Sequence, residues 1–68
     1  MLYRKRPVTI EAEIYAEGME DGFREGRPFL STLEGDLFIS GGDFIVVGID
    51  GERYAVKPRI FAKTYEPV

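Results

Sequence analysis

Carboxylates are the most abundant chemically active side chains in this sequence, and half of them lie in one stretch. Between residues 11 and 25 the chain carries six acidic residues against one basic residue, Arg24. Such a stretch can dock a basic partner or imitate nucleic acid, because it concentrates negative potential. The commoner explanation of an acidic run is a solvated face. The candidate partner-binding residues are the later acids of the stretch and two neighbouring aromatic residues: Tyr15, Glu17, Glu20, Asp21, Phe23 and Glu25.

Catalytic chemistry has little support in the composition. The chain has no cysteine and no histidine, which excludes a cysteine-based zinc site and removes the commonest general base and metal ligand. Asp43 and Asp50 stand at opposite ends of one predicted strand, so their carboxylates are too far apart to act as a catalytic pair. We therefore expect no enzymatic activity, no metal site and no cofactor.

A second group of residues, in the last third of the chain, combines positive charge with aromatic rings. When such side chains converge on one pocket, they can hold a nucleotide or a similar anionic small molecule. A chain of 68 residues can hardly enclose a ligand alone, so this alternative predicts a pocket between subunits. The candidate ligand-binding residues are Arg53, Tyr54, Lys57, Arg59 and Tyr65.

Length and charge narrow the class of protein. Residues 1–68 make one small domain, and a chain this short buries only about 60% of its unfolded surface. Because disulfides are excluded, self-association is a route to more buried area, and we expect a homo-oligomer. A net charge of −3 disfavours general nucleic-acid binding. No apolar run reaches the length of a membrane span, and Arg4-Lys5-Arg6 precedes no signal-peptide core, so the expected location is cytoplasmic, with no membrane partner.

The elements that position these residues are predicted to be mainly strands. The apolar run from Phe44 to Ile49 lies between two turn signals, which predicts a central strand covered on both faces. Asp50-Gly51 predicts a two-residue hairpin loop with positive φ at both positions, after which residues 52–57 form the returning strand. Residues 8–15 alternate between apolar and polar side chains, which predicts a strand with one face in water.

The segment from residue 16 to residue 27 is the hardest to assign. Gly18, Gly22 and Gly26 each destabilise a helix by about 1 kcal/mol relative to alanine. The pattern favours a loop, or at most one or two turns of helix.

Two further strands are predicted at residues 29–33 and 36–40, on either side of a tight turn at Glu34-Gly35. The Gly41-Gly42-Asp43 segment that follows predicts a turn or bulge. An anion cradle is the alternative, but neither a helix start nor a Lys-Ser/Thr pair follows, as it would in a phosphate-binding loop.

The end of the chain predicts a helix. Pro58 ends the strand ladder and suits a first helical position, so residues 58–65 predict a short helix or 3₁₀ turn. The fold class is therefore mainly β: a small curled antiparallel sheet or open barrel of about five strands with a short C-terminal helix.

Three segments resemble a widespread group of small phage and prophage proteins, some of which are labelled PGDYG-type. They are residues 3–12, which begin Tyr-Arg-Lys-Arg-Pro-Val, residues 33–45, and residues 51–66, which include Lys57-Pro58. The label refers to the turn that here reads Gly41-Gly42-Asp43-Phe44-Ile45, with glycine where the group usually has proline. Over residues 15–28 the group often has a longer, helix-containing insertion, which this chain lacks. The resemblance implies a viral origin and supplies no catalytic residues.

Three functions are compatible with these observations. The first is a phage accessory protein that binds a host protein stoichiometrically and inhibits an anti-phage defence system inside the infected bacterial cell, because blocking needs only shape, charge and aromatic anchors. The second is an oligomeric sponge that sequesters a nucleotide signal. The third is a virion or structural component.

Overall fold

The protein is mainly β, with six strands and one helix in the residues that the computed structural model describes, 1–4 and 7–68. The elements are β1 (Glu11–Ile14), β2 (Gly22–Arg24), β3 (Arg27–Thr32), β4 (Gly35–Phe38), β5 (Phe44–Val47), β6 (Arg53–Val56) and α1 (Pro58–Thr64). The strands form two antiparallel sheets, with orders β1-β5-β6 and β2-β3-β4. The predicted fold class is confirmed, although the described strands make two sheets and no closed barrel.

The first sheet is built around β5. This strand pairs with β1 on one side and with β6 on the other. Neighbouring residues of a strand point to opposite faces, and Ile45 and Val46 are only 6% and 0% exposed, so both faces of the strand are covered. The apolar run at residues 44–49 was therefore correctly predicted as a central strand, although pairing stops at Val47.

The hydrophobic core lies between the two sheets. Leu30 of β3, Ile39 after β4 and Ile45 of β5 form one buried cluster. Tyr15, Met19 and Ala55 pack around it. Burial of this apolar surface is the main force that holds the sheets together.

The helix covers the other face of the first sheet, where Val46 lies. The ring of Phe61 in α1 stacks on Phe44, with 3.9 Å between centroids and 7° between planes. The ring of Tyr65, directly after the helix, has its centroid 4.9 Å from that of the Phe61 ring. The hydroxyl oxygen of Tyr65 lies 3.3 Å from the hydroxyl oxygen of Tyr54. The helix predicted at residues 58–65 is confirmed over 58–64, with Pro58 in its first turn.

The outer face of the second sheet is covered by its own arginines. The guanidinium carbon of Arg27 lies 3.9 Å from the ring centroid of Phe38, and that of Arg24 lies 5.2 Å from the centroid of Phe29. Arg24 also forms an ion pair with Asp36, at 2.7 Å. The arginine stems shield the two rings from water while the charged groups stay solvated.

The loop predicted over residues 16–27 is wrong in its second half, which forms β2 and the turn into β3. Both loop residues, Glu25 and Gly26, have positive φ values, of 53° and 77°. That geometry is a two-residue type I′ turn, whose twist matches the flanking strands. A three-residue strand that contains Gly22 and lies between Gly18 and Gly26 has almost no apolar pattern. The sequence therefore predicts about five strands, whereas the described residues form six.

The hairpin predicted at Asp50-Gly51 exists, but its loop has three residues. The backbone amide of Gly48 donates to the carbonyl oxygen of Glu52 at 2.7 Å, and the backbone amide of Gly51 donates to the carbonyl oxygen of Gly48 at 3.0 Å. Positive φ in this loop is confined to Gly51, at 82°. A type I turn closed by one left-handed glycine explains this loop, so positive φ at Asp50 was a wrong prediction.

Several strand ends differ between the prediction and the structure. The strand predicted from residue 8 begins at Glu11, opposite Val47, because β5 turns away after Val47 and offers no partner to earlier residues. The turn predicted at Glu34-Gly35 lies one residue earlier, at Leu33-Glu34, and β4 ends at Phe38. The turn at Gly41-Gly42-Asp43 is confirmed. Lys5 and Arg6 of the basic triplet lie outside the described residues.

Candidate docking surface

The β2–β3 hairpin carries the most exposed part of the acidic stretch. We define its tip as Phe23, Glu25 and Gly26. The aromatic residue Phe23 is 58% exposed and pairs with Pro28 in the β2–β3 ladder. Glu25 is exposed in the turn. An exposed aromatic side chain beside a free carboxylate can anchor a partner and select a basic one.

Glu25 occupies a backbone conformation that suits glycine or asparagine better. Its φ of 53° lies in the left-handed region, where a side chain with a Cβ costs about 1 kcal/mol or more. Gly26 satisfies the second turn position without that cost. The sequence therefore has a charged side chain at the one turn position where it weakens the hairpin.

Tyr15 and Glu20 form a hydrogen bond with each other and contribute to the turn between β1 and β2. The Tyr15 hydroxyl donates to Glu20 Oε1 at 2.6 Å, and the Gly18 amide lies 3.1 Å from both carboxylate oxygens. The hydrogen bond to Glu20, and then burial, raise the pKa of Tyr15 to about 12. Accepting bonds from Tyr15 and then from the Gly18 amide lowers the pKa of Glu20. Both side chains are therefore committed to the fold.

Asp21 links the two sheets. Its Oδ2 accepts the backbone amide of Ser31 in β3 at 2.7 Å, and its Oδ1 pairs with the guanidinium of Arg53 in β6. Arg53 also donates to the Met19 carbonyl at 3.2 Å. The Ser31 amide, followed by Arg53, lowers the pKa of Asp21. This carboxylate acts as a structural cross-link that joins the turn, β3 and β6.

The six residues predicted to bind a partner thus separate into two groups. Tyr15, Glu20 and Asp21 make internal contacts, which leaves Glu17, Phe23 and Glu25 as exposed candidates. Within the described residues, Glu17 and Glu25 form no ion pair. The docking surface is therefore smaller than the sequence predicted.

The alternative ligand-binding set does not converge on one pocket. Arg53 points to Asp21, and the Lys57 ammonium lies 3.2 Å from Asp43. The Tyr54 hydroxyl faces Tyr65, and that hydrogen bond, with burial as the second cause, raises the pKa of Tyr54 to about 12. The fifth residue, Arg59, is exposed in α1. Two of the three cations therefore already have carboxylate partners.

Asp43 was assigned to a turn by the sequence and has a larger role in the structure. It is 2% exposed, accepts the Ser40 amide at 3.0 Å, and its carbonyl accepts the Tyr15 amide at 2.7 Å. The ion pair with Lys57 connects this turn to the start of α1. The only sequence signal for this role was an aspartate directly after two glycines.

The arginine-covered rings of the second sheet were also missed by sequence reasoning. Arg27 and Phe29 alternate along β3, which was a signal that they share a face, but the partner residue Phe38 follows only from the register. Arg27 forms no ion pair within residues 1–4 and 7–68, so its guanidinium edge is available to solvent.

The described residues contain neither a cluster of metal-binding side chains nor a membrane-spanning helix. No group of three or more acidic, histidine or cysteine side chains there is placed to hold a metal ion. No helix in that part of the chain is long and apolar enough to span a membrane.

Comparison of the chain with protein-family models, with curated proteins and with solved structures finds no match.

Proposed function

We propose that this chain is a phage-encoded accessory protein that inhibits a bacterial anti-phage defence system by binding one of its proteins stoichiometrically. The binding element in this proposal is the tip of the β2–β3 hairpin. The resemblance of residues 3–12, 33–45 and 51–66 to small phage proteins supports the viral origin.

The observation that carries the proposal is the combination of strain and exposure at the hairpin tip. Glu25 has a φ of 53°, a conformation that glycine adopts more easily, and Phe23, two residues earlier, is 58% exposed. Strained backbone conformations cluster at functional sites, where the surrounding structure holds them in place. A partner with an apolar pocket for Phe23 and one basic side chain opposite Glu25 fits this tip, because Arg27 beside the turn, which forms no ion pair in the described part of the chain, would repel further cations.

The test is a phage infection assay in bacterial strains that each carry one defence system. We expect expression of the chain to restore phage plating in at least one strain. The Phe23→Ala variant should lose this effect, because an aromatic anchor at an interface contributes roughly 2 kcal/mol or more, which weakens a complex about 30-fold. Lys63→Glu, an exposed change at the far end of α1, is the matched control and should retain the effect.

Stoichiometry separates blocking from catalysis. With the sensitive defence protein purified, inhibition should reach its limit at a fixed molar ratio and should not increase with time. Failure to restore plating in every strain, or turnover at substoichiometric amounts, would contradict the proposal.

A further inference from the structure

The first four residues form an apolar segment with almost no contact to the rest of the chain. We call Met1–Arg4 the arm. Met1, Leu2 and Tyr3 are 100%, 103% and 87% exposed. The Cα radius of gyration is 13.2 Å, whereas a compact chain of this length has about 11 Å. The molecule is correspondingly elongated, at 44 × 23 × 18 Å. Three adjacent apolar side chains in water are unfavourable unless another surface covers them.

The two sheets separate at one edge and leave an apolar cleft. Leu37 of β4 lies opposite Leu30 in the ladder, so both point toward the space between the sheets. Leu30 is fully buried, but Leu37 is 38% exposed, because the sheets diverge there. We call this space the inter-sheet cleft. It has a volume of about 490 Å³, and its lining includes Leu33, Glu34, Leu37, Glu52, Arg53 and Tyr54.

The size and lining of the cleft suit a few apolar side chains. Pockets that bind compact apolar groups have volumes of roughly 300–1,000 Å³. Leu33, at the tip of the β3–β4 turn, is 95% exposed beside the cleft and adds apolar surface to its mouth.

Charge complements this apolar match. Residues 7–68 carry six basic and twelve acidic residues, whereas the first six residues carry three basic residues and no acid. Glu34 forms no ion pair with any described residue, and Glu52 forms none either, although its carboxylate accepts the backbone amide of Asp50 at 3.0 Å. The positive charge of Arg53 in the lining is already paired with Asp21. Arg4 follows the apolar tip of the arm directly, so an arm whose tip enters the cleft brings a positive charge to this acidic rim.

We propose that the arm of one copy of this chain docks into the inter-sheet cleft of a second copy. Reciprocal exchange fills two clefts with two arms around a two-fold axis, which is a closed arrangement. The exchange covers exposed apolar surface on both partners, and a domain of 68 residues has little core of its own. This surface is separate from the hairpin tip, so the inference stands or falls independently of the proposed function.

The test is sedimentation velocity of the full chain over a dilution series, with variants in the arm and in the cleft. We expect the wild type to sediment as a dimer, at about twice the chain mass of 7.7 kDa, and to dissociate on dilution. Leu2→Asp should be monomeric at concentrations where the wild type is dimeric. Ile60→Asp is the matched control, because Ile60 is an exposed apolar residue of α1, at 52%, away from the cleft; this variant should remain dimeric.

A charge exchange tests the contact itself. Arg4→Glu and Glu34→Lys should each weaken the dimer, and the double variant should recover affinity relative to both single variants. None of these residues makes a contact on which the fold depends, so unfolding should not obscure the result. A wild-type monomer at every concentration would overturn the proposal, as would a dimer that Leu2→Asp leaves unchanged. A monomer in which Leu2 contacts its own cleft, detected by nuclear Overhauser effects, would also overturn it.

Discussion

The two sheets of this protein have the same number of strands but are ordered by different forces. In β1-β5-β6, the central strand is apolar throughout, and its residues Ile45 and Val46 are buried on opposite faces. In β2-β3-β4, Leu30 is the only buried strand residue among those described. That sheet depends instead on the Glu25-Gly26 turn, on packing of Phe29 over Gly22, and on the Asp21 cross-link. Apolar burial specifies the first sheet, whereas backbone geometry and polar contacts specify the second.

The largest effect should come from a fully buried residue of the core between the two sheets. Leu30→Ala removes a fully buried side chain from the core between the sheets. We expect it to lower the free energy of unfolding by about 2–5 kcal/mol, which is a large part of the stability of a small domain. Urea unfolding followed by circular dichroism measures the loss.

Ile49→Ala is the matched control, because Ile49 is 73% exposed in the β5–β6 loop. Its effect should stay within about 0.5 kcal/mol. If the Leu30 variant does not fold, Leu30→Val should show a smaller loss in the same direction. Equal stability of Leu30→Val and wild type would contradict the assigned core.

The next effect concerns the carboxylate that stabilises the first sheet, Asp43. Asp43→Ala leaves the Ser40 amide and the Lys57 ammonium without their acceptor. We expect a loss of about 2 kcal/mol, since hydrogen bonds to charged groups contribute roughly 1.5–3 kcal/mol. Asp50→Ala, an exposed aspartate in the β5–β6 loop, should change stability by less than about 0.5 kcal/mol. Thermal unfolding measures the melting temperatures of the Asp43→Ala and Asp50→Ala variants. Similar melting temperatures would exclude a structural role for Asp43.

A smaller effect tests the close packing of the second sheet. A Cβ built at Gly22 lies 2.9 Å from the Phe29 ring, so Gly22→Ala forces this ring to move. We expect a loss of about 1–2 kcal/mol from overpacking. Gly41→Ala is the control, because a Cβ there meets no atom within 4 Å and the backbone φ is not positive. Denaturant titration measures the free energy of unfolding of both variants. A Gly22 variant as stable as the Gly41 variant would show that Phe29 does not restrict residue 22.

The smallest effect is a difference in how the two sheets respond to acid. The pKa values of Asp21 and Glu20 are lowered in the folded state, so their stabilising contribution is complete above the unfolded values of about 4. It is lost as the pH falls through the lowered values. We expect the protection factors of backbone amides, which correct for the intrinsic effect of pH on exchange, to fall first in β2 and β3 as the pH is lowered.

Asp21→Asn should reduce this acid sensitivity, because the titrating group is removed. Glu66→Gln, an exposed change after α1, serves as the control and should leave the acid profile unchanged. Earlier exchange in β5 than in β3 would mean that the polar contacts of Asp21 do not limit the stability of the second sheet.

Sequence reasoning succeeded where apolar burial controls the structure. The apolar run at residues 44–49, the returning strand after Asp50-Gly51 and the helix after Pro58 are all present. It failed for β2, because three residues of which one is glycine carry no periodic signal. Asp-Gly and Glu-Gly both formed turns, but the two-residue turn with positive φ at both positions formed at Glu25-Gly26, where the sequence preference is weaker.

The candidate site was predictable only in part. The acidic stretch and its aromatic residues were visible from composition, and Phe23 and Glu25 do lie at an exposed turn. The sequence does not show which acidic residues remain unpaired, because Asp21 pairs with Arg53, which lies thirty-two residues later in the chain. Contacts at that separation depend on how the sheets pack, and no local pattern encodes them.

The sequence alone determined the mainly β class, the central apolar strand, the short helix and the absence of histidine and cysteine chemistry. These properties depend on composition and on periodicity within one segment. The tertiary structure decided that the strands divide into two sheets, that Asp21 and Asp43 have structural roles, and that the inter-sheet cleft is apolar with acids at its rim. The physical reason is the separation in sequence of the residues that interact. The burial of a strand is visible in the pattern of its own residues, whereas a cross-link or a cleft forms only after distant segments have packed together.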